Sequence, residues 1–183
     1  GWNSPIYCDN RITLSHPEVR TYIRQELAQA VVKKYGKPDV IAGVATGAIA
    51  QGVLVAQELG VPFIYVRASA KGHGRQNLVE GKVESGQAVV VIEDLISSGK
   101  SSLAAVDALR EVGCDVKGMG AVFTYGFQTA TDNFIKADCE LFTLGDYDSL
   151  IEQAVETKYI SEGDSALLKD WRKDPSNWKK QQT

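Results

Sequence analysis

Short apolar runs alternate with longer amphipathic stretches along the chain. Val40-Ile41-Ala42-Gly43-Val44, residues 63–66, Ala88-Val89-Val90-Val91-Ile92, Gly120-Ala121-Val122-Phe123-Thr124 and Leu141-Phe142-Thr143-Leu144 are largely continuous in apolar character. Brief runs of this kind, rich in β-branched residues and bounded by glycine or acids, predict strands buried on both faces. The stretches between them predict helices. Residues 17–34 form one and residues 48–59 another, closed by Gly60. Leu103, Val106, Leu109 and Val112 recur about once per turn, with Gly113 as a stop. Residues 146–158 follow the last strand. Strands alternating with helices imply an α/β fold, with a mostly parallel central sheet flanked by helices. Ligands in such folds bind beyond the carboxyl ends of the strands. The loops after Val44, Val66 and Ile92 are therefore where chemistry is expected. In the tail, Ser161 suits an N-cap with Asp164 three residues on, and Trp171 and Trp178 are expected to pack it onto the rest.

Composition narrows this picture only modestly. The 183 residues suit a single domain over 1–183. At 44% hydrophobic and 23% charged, the chain can bury a full core. Its net charge is −3, with both signs interleaved, which argues against a nucleic-acid binder. Cys8, Cys114 and Cys139 lie far apart in neither zinc nor redox spacing, so they read as free thiols of a cytoplasmic protein. No apolar run is long enough to span a bilayer. The first residues, Gly1-Trp2-Asn3-Ser4-Pro5, read as mid-domain sequence, so a preceding segment is expected.

The most informative stretch is Glu93-Asp94-Leu95-Ile96-Ser97-Ser98-Gly99-Lys100-Ser101-Ser102. Two carboxylates end a buried strand, a small hydroxyl-rich turn follows, and a helix begins near Ser101. Free backbone N–H groups at a helix start bind phosphate, and small residues let the backbone approach it. The acids suit sugar hydroxyls or the placing of a divalent cation. A phosphorylated ribose needs both arrangements side by side. Read more plainly, Ser101 is a simple cap and the acids are solvated. Gly99-Lys100-Ser101 also mimics the end of a nucleotide-binding P-loop, but that motif needs glycine where Asp94 stands.

This segment resembles the phosphoribosyl pyrophosphate motif of type I phosphoribosyltransferases. Other stretches narrow the resemblance to the orotate phosphoribosyltransferases. Arg67-Ala68-Ser69-Ala70-Lys71-Gly72-His73-Gly74 resembles their mobile catalytic loop, and Asn77-Leu78-Val79-Glu80-Gly81 its descent. Ser4-Pro5-Ile6-Tyr7-Cys8-Asp9-Asn10-Arg11 resembles their N-terminal base-binding strand, and Gly43-Val44-Ala45-Thr46-Gly47-Ala48-Ile49 their pyrophosphate loop. Phe123-Thr124-Tyr125 and Asn177-Trp178 also fit bacterial members. The chain departs from the family where Ala68 and Ser69 replace a further lysine, where Gly72 replaces the usual acid, and at Lys100 in the turn. Gly47 stands where many members carry lysine.

The resemblance implies a type I phosphoribosyltransferase fold with a small N-terminal base-binding hood. Its reaction joins orotate to phosphoribosyl pyrophosphate, with Mg2+ held mainly by the substrate and by no side chain directly. Arg67, Lys71 and His73 would serve the leaving pyrophosphate, as the catalytic set with Asp94. Glu93 and Asp94 would hold the ribose hydroxyls. Leu95, Ile96, Ser97, Ser98, Gly99, Lys100 and Ser101 would surround the 5′-phosphate, Ser97 also facing orotate. Lys100 is equally suited to a solvated helix start. Tyr7 and Cys8 would line the base pocket, though Tyr7 as core packing is an equal reading. A homodimer with the lid shared across the interface is implied, and the family's N-terminal helix would precede Gly1. A purine phosphoribosyltransferase, or a non-catalytic regulator that senses phosphoribosyl pyrophosphate, are the alternatives.

Overall fold

The structure is a computed structural model that describes residues 4–68 and 78–178. Its centre is a six-stranded sheet in the order β3-β2-β1-β4-β5-β6. The strands are β1 (Val40–Val44), β2 (Phe63–Val66), β3 (Val79–Glu80), β4 (Ala88–Ile96), β5 (Asp115–Thr124) and β6 (Leu141–Asp146). All neighbours pair in parallel except the short edge strand β3, which runs antiparallel to β2. The helices are α1 (Pro17–Tyr35), α2 (Ile49–Leu59), α3 (Lys100–Glu111), α4 (Gln128–Lys136), α5 (Tyr147–Glu156) and α6 (Glu162–Lys173). A short 3-10 helix, Asn10–Ser15, precedes them.

The apolar strands are buried on both faces because alternate side chains feed two separate cores. Ile41, Val90 and Ile92 pack with Ile23, Leu27, Val31 and Val55 of α1 and α2. Val40, Ala42, Val89 and Val91 face the other way, against Leu103, Val106 and Leu109 of α3 and Phe134 of α4. A third cluster joins the tail to the carboxyl end of the sheet. Trp171 lies 5.8 Å from the rings of Tyr125 and Phe127 and 5.7 Å from Tyr147. Ile6, Cys8 and Trp178 pack against its margin. The capping box at Ser161 and Asp164 forms as the sequence suggests.

Three features depart from the sequence pattern. β4 continues four residues past Ile92, because β5 offers partners as far as Ile96↔Thr124. β5 itself starts at Asp115, well ahead of Gly120, paired to Ala88. Helix α4, which the sequence reading did not assign, is short and turns Ala130 and Phe134, four residues apart, into the core. Among the described residues, no helix is long and apolar enough to cross a membrane.

Candidate active site

The carboxyl ends of β1 and β4 open onto a cleft of about 420 Å³. Its walls come from three segments far apart in sequence: Tyr7 to Arg11, the β1–α2 loop with Thr46 and Gly47, and the end of β4 with Glu93, Asp94 and Leu95. Ser101, in the first turn of α3, completes it.

Glu93 and Asp94 are neighbours at the end of β4, close enough for their carboxyl groups to interact, yet their surroundings differ. Glu93 is only 5% exposed. Its Oε2 accepts a hydrogen bond from Ser102 Oγ at 2.8 Å, and its Oε1 accepts one from the Asp94 backbone N–H at 2.9 Å. Burial, and then a side-chain hydrogen bond shared with Asp94, push the Glu93 carboxyl up to about 8. Asp94 turns instead toward the β1–α2 loop. A Cβ built on Gly47 would run into its carboxylate, with Cγ at 2.6 Å. The glycine thus makes room for an acid at this point of the loop. The Ala45–Thr46 peptide in the same loop is cis.

Helix α3 begins at Lys100, one residue earlier than the pattern suggested. Its N-cap is Gly99, in the left-handed conformation (φ 74°), and no side chain caps it. Ser101 is therefore not the cap. A Cβ at Gly99 would strike the Phe134 ring at 2.6 Å, so glycine serves both the backbone angle and the packing of α4. The uncapped first turn leaves backbone N–H groups and the positive end of the helix dipole facing the cleft, a setting for a phosphate. Lys100 and Ser101 are exposed there.

The remaining residues of the turn divide. Leu95 lines the cleft. The Ile96 side chain is fully buried in the core, and its carbonyl accepts from the Tyr125 N–H at 3.0 Å, so it braces the turn from behind. Ser97 and Ser98 open onto an adjoining cavity of about 430 Å³, shared with Tyr7, Tyr125, Phe127 and Trp171. Asn133 of α4 anchors this turn by donating to the Ser98 carbonyl at 2.9 Å.

Tyr7 is 79% exposed, which rules out core packing for it. It stands where the two cavities meet. Cys8 is half-buried; burial raises its thiol pKa, so it remains S–H and donates to Asn10 Oδ1 at 3.4 Å. Asp9 and Arg11 add to the cleft wall as an ion pair at 2.6 Å, and Arg11 also donates to the Tyr7 hydroxyl at 3.1 Å. Asp9, Asn10 and Arg11 are cleft residues that the sequence reading placed in the stretch resembling the base-binding strand but gave no role of their own. Their signal was adjacency: they directly follow Tyr7 and Cys8. At the far side, Arg67 follows β2, its backbone N–H donating to the Leu78 carbonyl at 2.9 Å and its guanidinium 3.4 Å from Glu80. Lys71 and His73 lie outside the described residues.

Among the described residues, no three His, Cys, Asp or Glu side chains gather in a way that could hold a metal ion. The cleft nonetheless suits a cation that arrives chelated by substrate oxygens, since its open wall carries the Asp94 carboxylate and the polar Thr46–Gly47 loop.

The phosphoribosyl transferase domain family matches residues 14–143. An orotate phosphoribosyltransferase of Porphyromonas gingivalis is 57% identical, over 97% of this chain and 85% of its own length. Among solved structures, orotate phosphoribosyltransferase from Aeropyrum pernix superposes with a TM-score of 0.76 at 25% identity, covering 86% of each chain. Adenine phosphoribosyltransferase from Thermoanaerobacter pseudethanolicus reaches a TM-score of 0.63 at 21% identity, over 74% of this chain and 84% of that one, a likeness of fold alone.

Proposed function

The chain belongs to the orotate phosphoribosyltransferase family, and from that membership we infer how its own residues carry the reaction. It transfers the 5-phosphoribosyl group of phosphoribosyl pyrophosphate to orotate, giving orotidine 5′-monophosphate and pyrophosphate, a step of pyrimidine biosynthesis. The observation that carries the reading of the site is one cleft shared by an uncapped helix start, a carboxylate and the Tyr7 to Arg11 segment. These features match, respectively, the phosphate, the ribose and the base of the two substrates.

The bond from the anomeric carbon to the pyrophosphate breaks ahead of bond formation with the orotate nitrogen. Positive charge grows on the ribose and negative charge on the leaving group. Rate enhancement then comes from cations fixed at the leaving group and from exclusion of water. Arg67, Lys71 and His73 supply those cations and a proton. Arg67 clamps an anion with its planar fork, Lys71 acts as a point charge, and His73 donates to the departing oxygens. Magnesium, chelated mainly by the substrate's own oxygens, would neutralise part of the same charge when bound. Asp94 accepts from the ribose hydroxyls. Glu93, turned back onto Ser102, stiffens the strand that presents Asp94. The turn from Ser97 to Ser101 receives the 5′-phosphate, with Ser97 also facing orotate beside Tyr7, and Cys8 reaches the base from the adjoining cleft. The working unit is a homodimer in which the loop carrying Lys71 serves the partner's cleft. Its compartment is the cytoplasm, which suits three free thiols.

The direct test is the loss of orotate absorbance on mixing with phosphoribosyl pyrophosphate and magnesium. Turnover of orotate is expected, with little of adenine, hypoxanthine or uracil. Efficient turnover of hypoxanthine without orotate would sink the reading.

A further inference from the structure

β1 stops pairing with β4 at Gly43↔Ile92, while β4 itself runs on to Ile96. From Glu93 onward, the β1 side of β4 therefore has no strand beside it among the described residues, and its backbone acceptors there need other donors. Asn10 provides one. Its Nδ2 donates to the Asp94 carbonyl at 2.7 Å, across 84 residues of sequence. The other end of the same amide is also engaged, since Asn10 Oδ1 accepts from the Cys8 thiol at 3.4 Å. The Asn10 backbone carbonyl accepts from Thr13 Oγ1 at 2.6 Å, and Thr13 Oγ1 in turn accepts from Gln51 Nε2 of α2 at 3.5 Å. Gln51 is 2% exposed and sits in the first turn of α2, directly after the Thr46–Gly47 loop. One short polar chain thus joins the segment carrying Tyr7 and Cys8, the backbone of Asp94, and the helix behind the β1–α2 loop.

We propose that Asn10 is a positioning residue of the phosphoribosyl transfer, its side-chain amide fixing the base-binding segment relative to Asp94. The proposal rests on the reading of this cleft given above. A primary amide is the group this place requires. It must donate to a carbonyl on one side and accept from a thiol on the other, and a planar amide carries both without depending on its protonation state. The rigidity matters because Tyr7 is 79% exposed and has little packing of its own to fix it. Without the amide, the segment keeps its apolar anchor at Ile6 but loses its register on the strand that bears Asp94. Orotate and the ribose would then be presented to each other loosely, and small misplacements of this sort are costly to bimolecular steps.

The test compares Asn10→Ala and Asn10→Asp with wild type, by steady-state kinetics in both substrates and by thermal unfolding. Wild-type turnover of orotate judges the reading of the cleft; the variant ratios judge Asn10. Asn10→Asp has nearly the same shape but sets an acceptor against the Asp94 carbonyl, so it is expected to be the worse of the two. The KM for orotate is expected to rise on the order of tenfold, the scale of one lost hydrogen bond. Binding of phosphoribosyl pyrophosphate alone, read by its quenching of tryptophan fluorescence or by calorimetry, is expected to stay within about threefold on the same scale. A purely structural role would lower the unfolding temperature and leave the orotate KM unmoved, and that result overturns the proposal. So does a loss shared equally by both substrates. If one variant fails to fold, the other decides; failure of both to fold also overturns it.

Discussion

Ser102 Oγ, in the first turn of α3, donates to Glu93 Oε2 at 2.8 Å, and both residues are at least 95% buried. This contact ties the helix that presents its N-terminus to the cleft to the strand that presents Asp94. It also explains how a carboxyl group is tolerated in so dry a place: one oxygen has the serine, the other the Asp94 N–H. Ser102→Ala removes the hydroxyl that donates to Oε2 without offering water a path to it. A loss of about 1–3 kcal/mol of stability is expected, the cost of an unsatisfied buried polar group. Urea unfolding measures it, and a midpoint unchanged from wild type would contradict the assignment.

The same carboxyl makes stability depend on pH. Its folded pKa is pushed up to about 8, chiefly by burial, from an ordinary value of 4.5. The folded chain therefore keeps a proton that the unfolded chain has already released. The contribution is harmless below the ordinary carboxylate range and becomes progressively more destabilising as pH rises toward about 8, after which it levels off. Glu93→Gln, neutral at every pH, is expected to flatten this stretch of the profile. Urea midpoints of both proteins, taken at intervals between these limits, check the slope; parallel curves would rule out Glu93 as the source.

Gly47→Ala tests the shape of the β1–α2 loop. The new methyl would meet the Asp94 carboxylate, and either the loop or the acid must move. Because Asp94 faces the ribose in the proposed mechanism, kcat/KM for phosphoribosyl pyrophosphate is expected to fall by roughly tenfold to 10²-fold, the range that small misplacements at a reacting centre produce. The far-ultraviolet circular dichroism should not change. Kinetics equal to wild type would mean that the loop yields freely and that Asp94 does not depend on it.

Lys71 and Asp94 together test sharing of the site between subunits. Lys71→Ala is expected to lower kcat and kcat/KM together, on the order of 10²-fold or more, as when an electrostatic contact of the transition state is lost. Asp94→Asn should also weaken the binding of phosphoribosyl pyrophosphate. If the loop of one subunit serves the cleft of the other, mixed dimers of the two variants contain one cleft with both residues intact. Activity should then reappear on mixing and refolding. Full activity in a demonstrated monomer would end this account.

Trp171 tests the tail. It is 3% exposed and packs among Tyr125, Phe127 and Tyr147, beside the cavity lined by Ser97. Trp171→Ala is expected to cost about 3–5 kcal/mol, the usual range for emptying a large aromatic site. Because Tyr125 and Phe127 also line that cavity, the orotate KM should rise as well. Chemical unfolding and kinetics on the same preparation separate the two effects, and a cost below about 1 kcal/mol would show that the cluster closes over the gap.

What the amino-acid order determined by itself was whatever depends on near neighbours. Val89 to Ile92 can only be satisfied by burial on both faces, so a parallel sheet between helices followed from the run itself. The acids, the serine-rich turn and the following helix are contiguous, so the phosphoribosyl segment was legible before any folding was considered. Arg67, Lys71 and His73 were assigned only from a resemblance, and two of them stand outside the described residues. The tertiary structure decided the relations between distant parts. Glu93 and Asp94 look alike in sequence, yet the fold sets one against Ser102 and the other beside Gly47. β4 runs through both acids only because β5 pairs that far, and β5 is read from residues some thirty positions later. Helix α4 has Ala130 and Phe134 one turn apart in its own sequence, but that Phe134 packs beneath Gly99 is decided only by the tertiary structure. Asn10 finds the Asp94 carbonyl 84 residues away because β1 ends early and leaves that acceptor bare. Local pattern reports which surfaces must be buried, whereas a hydrogen bond between remote segments exists only after the chain has been folded to bring them together.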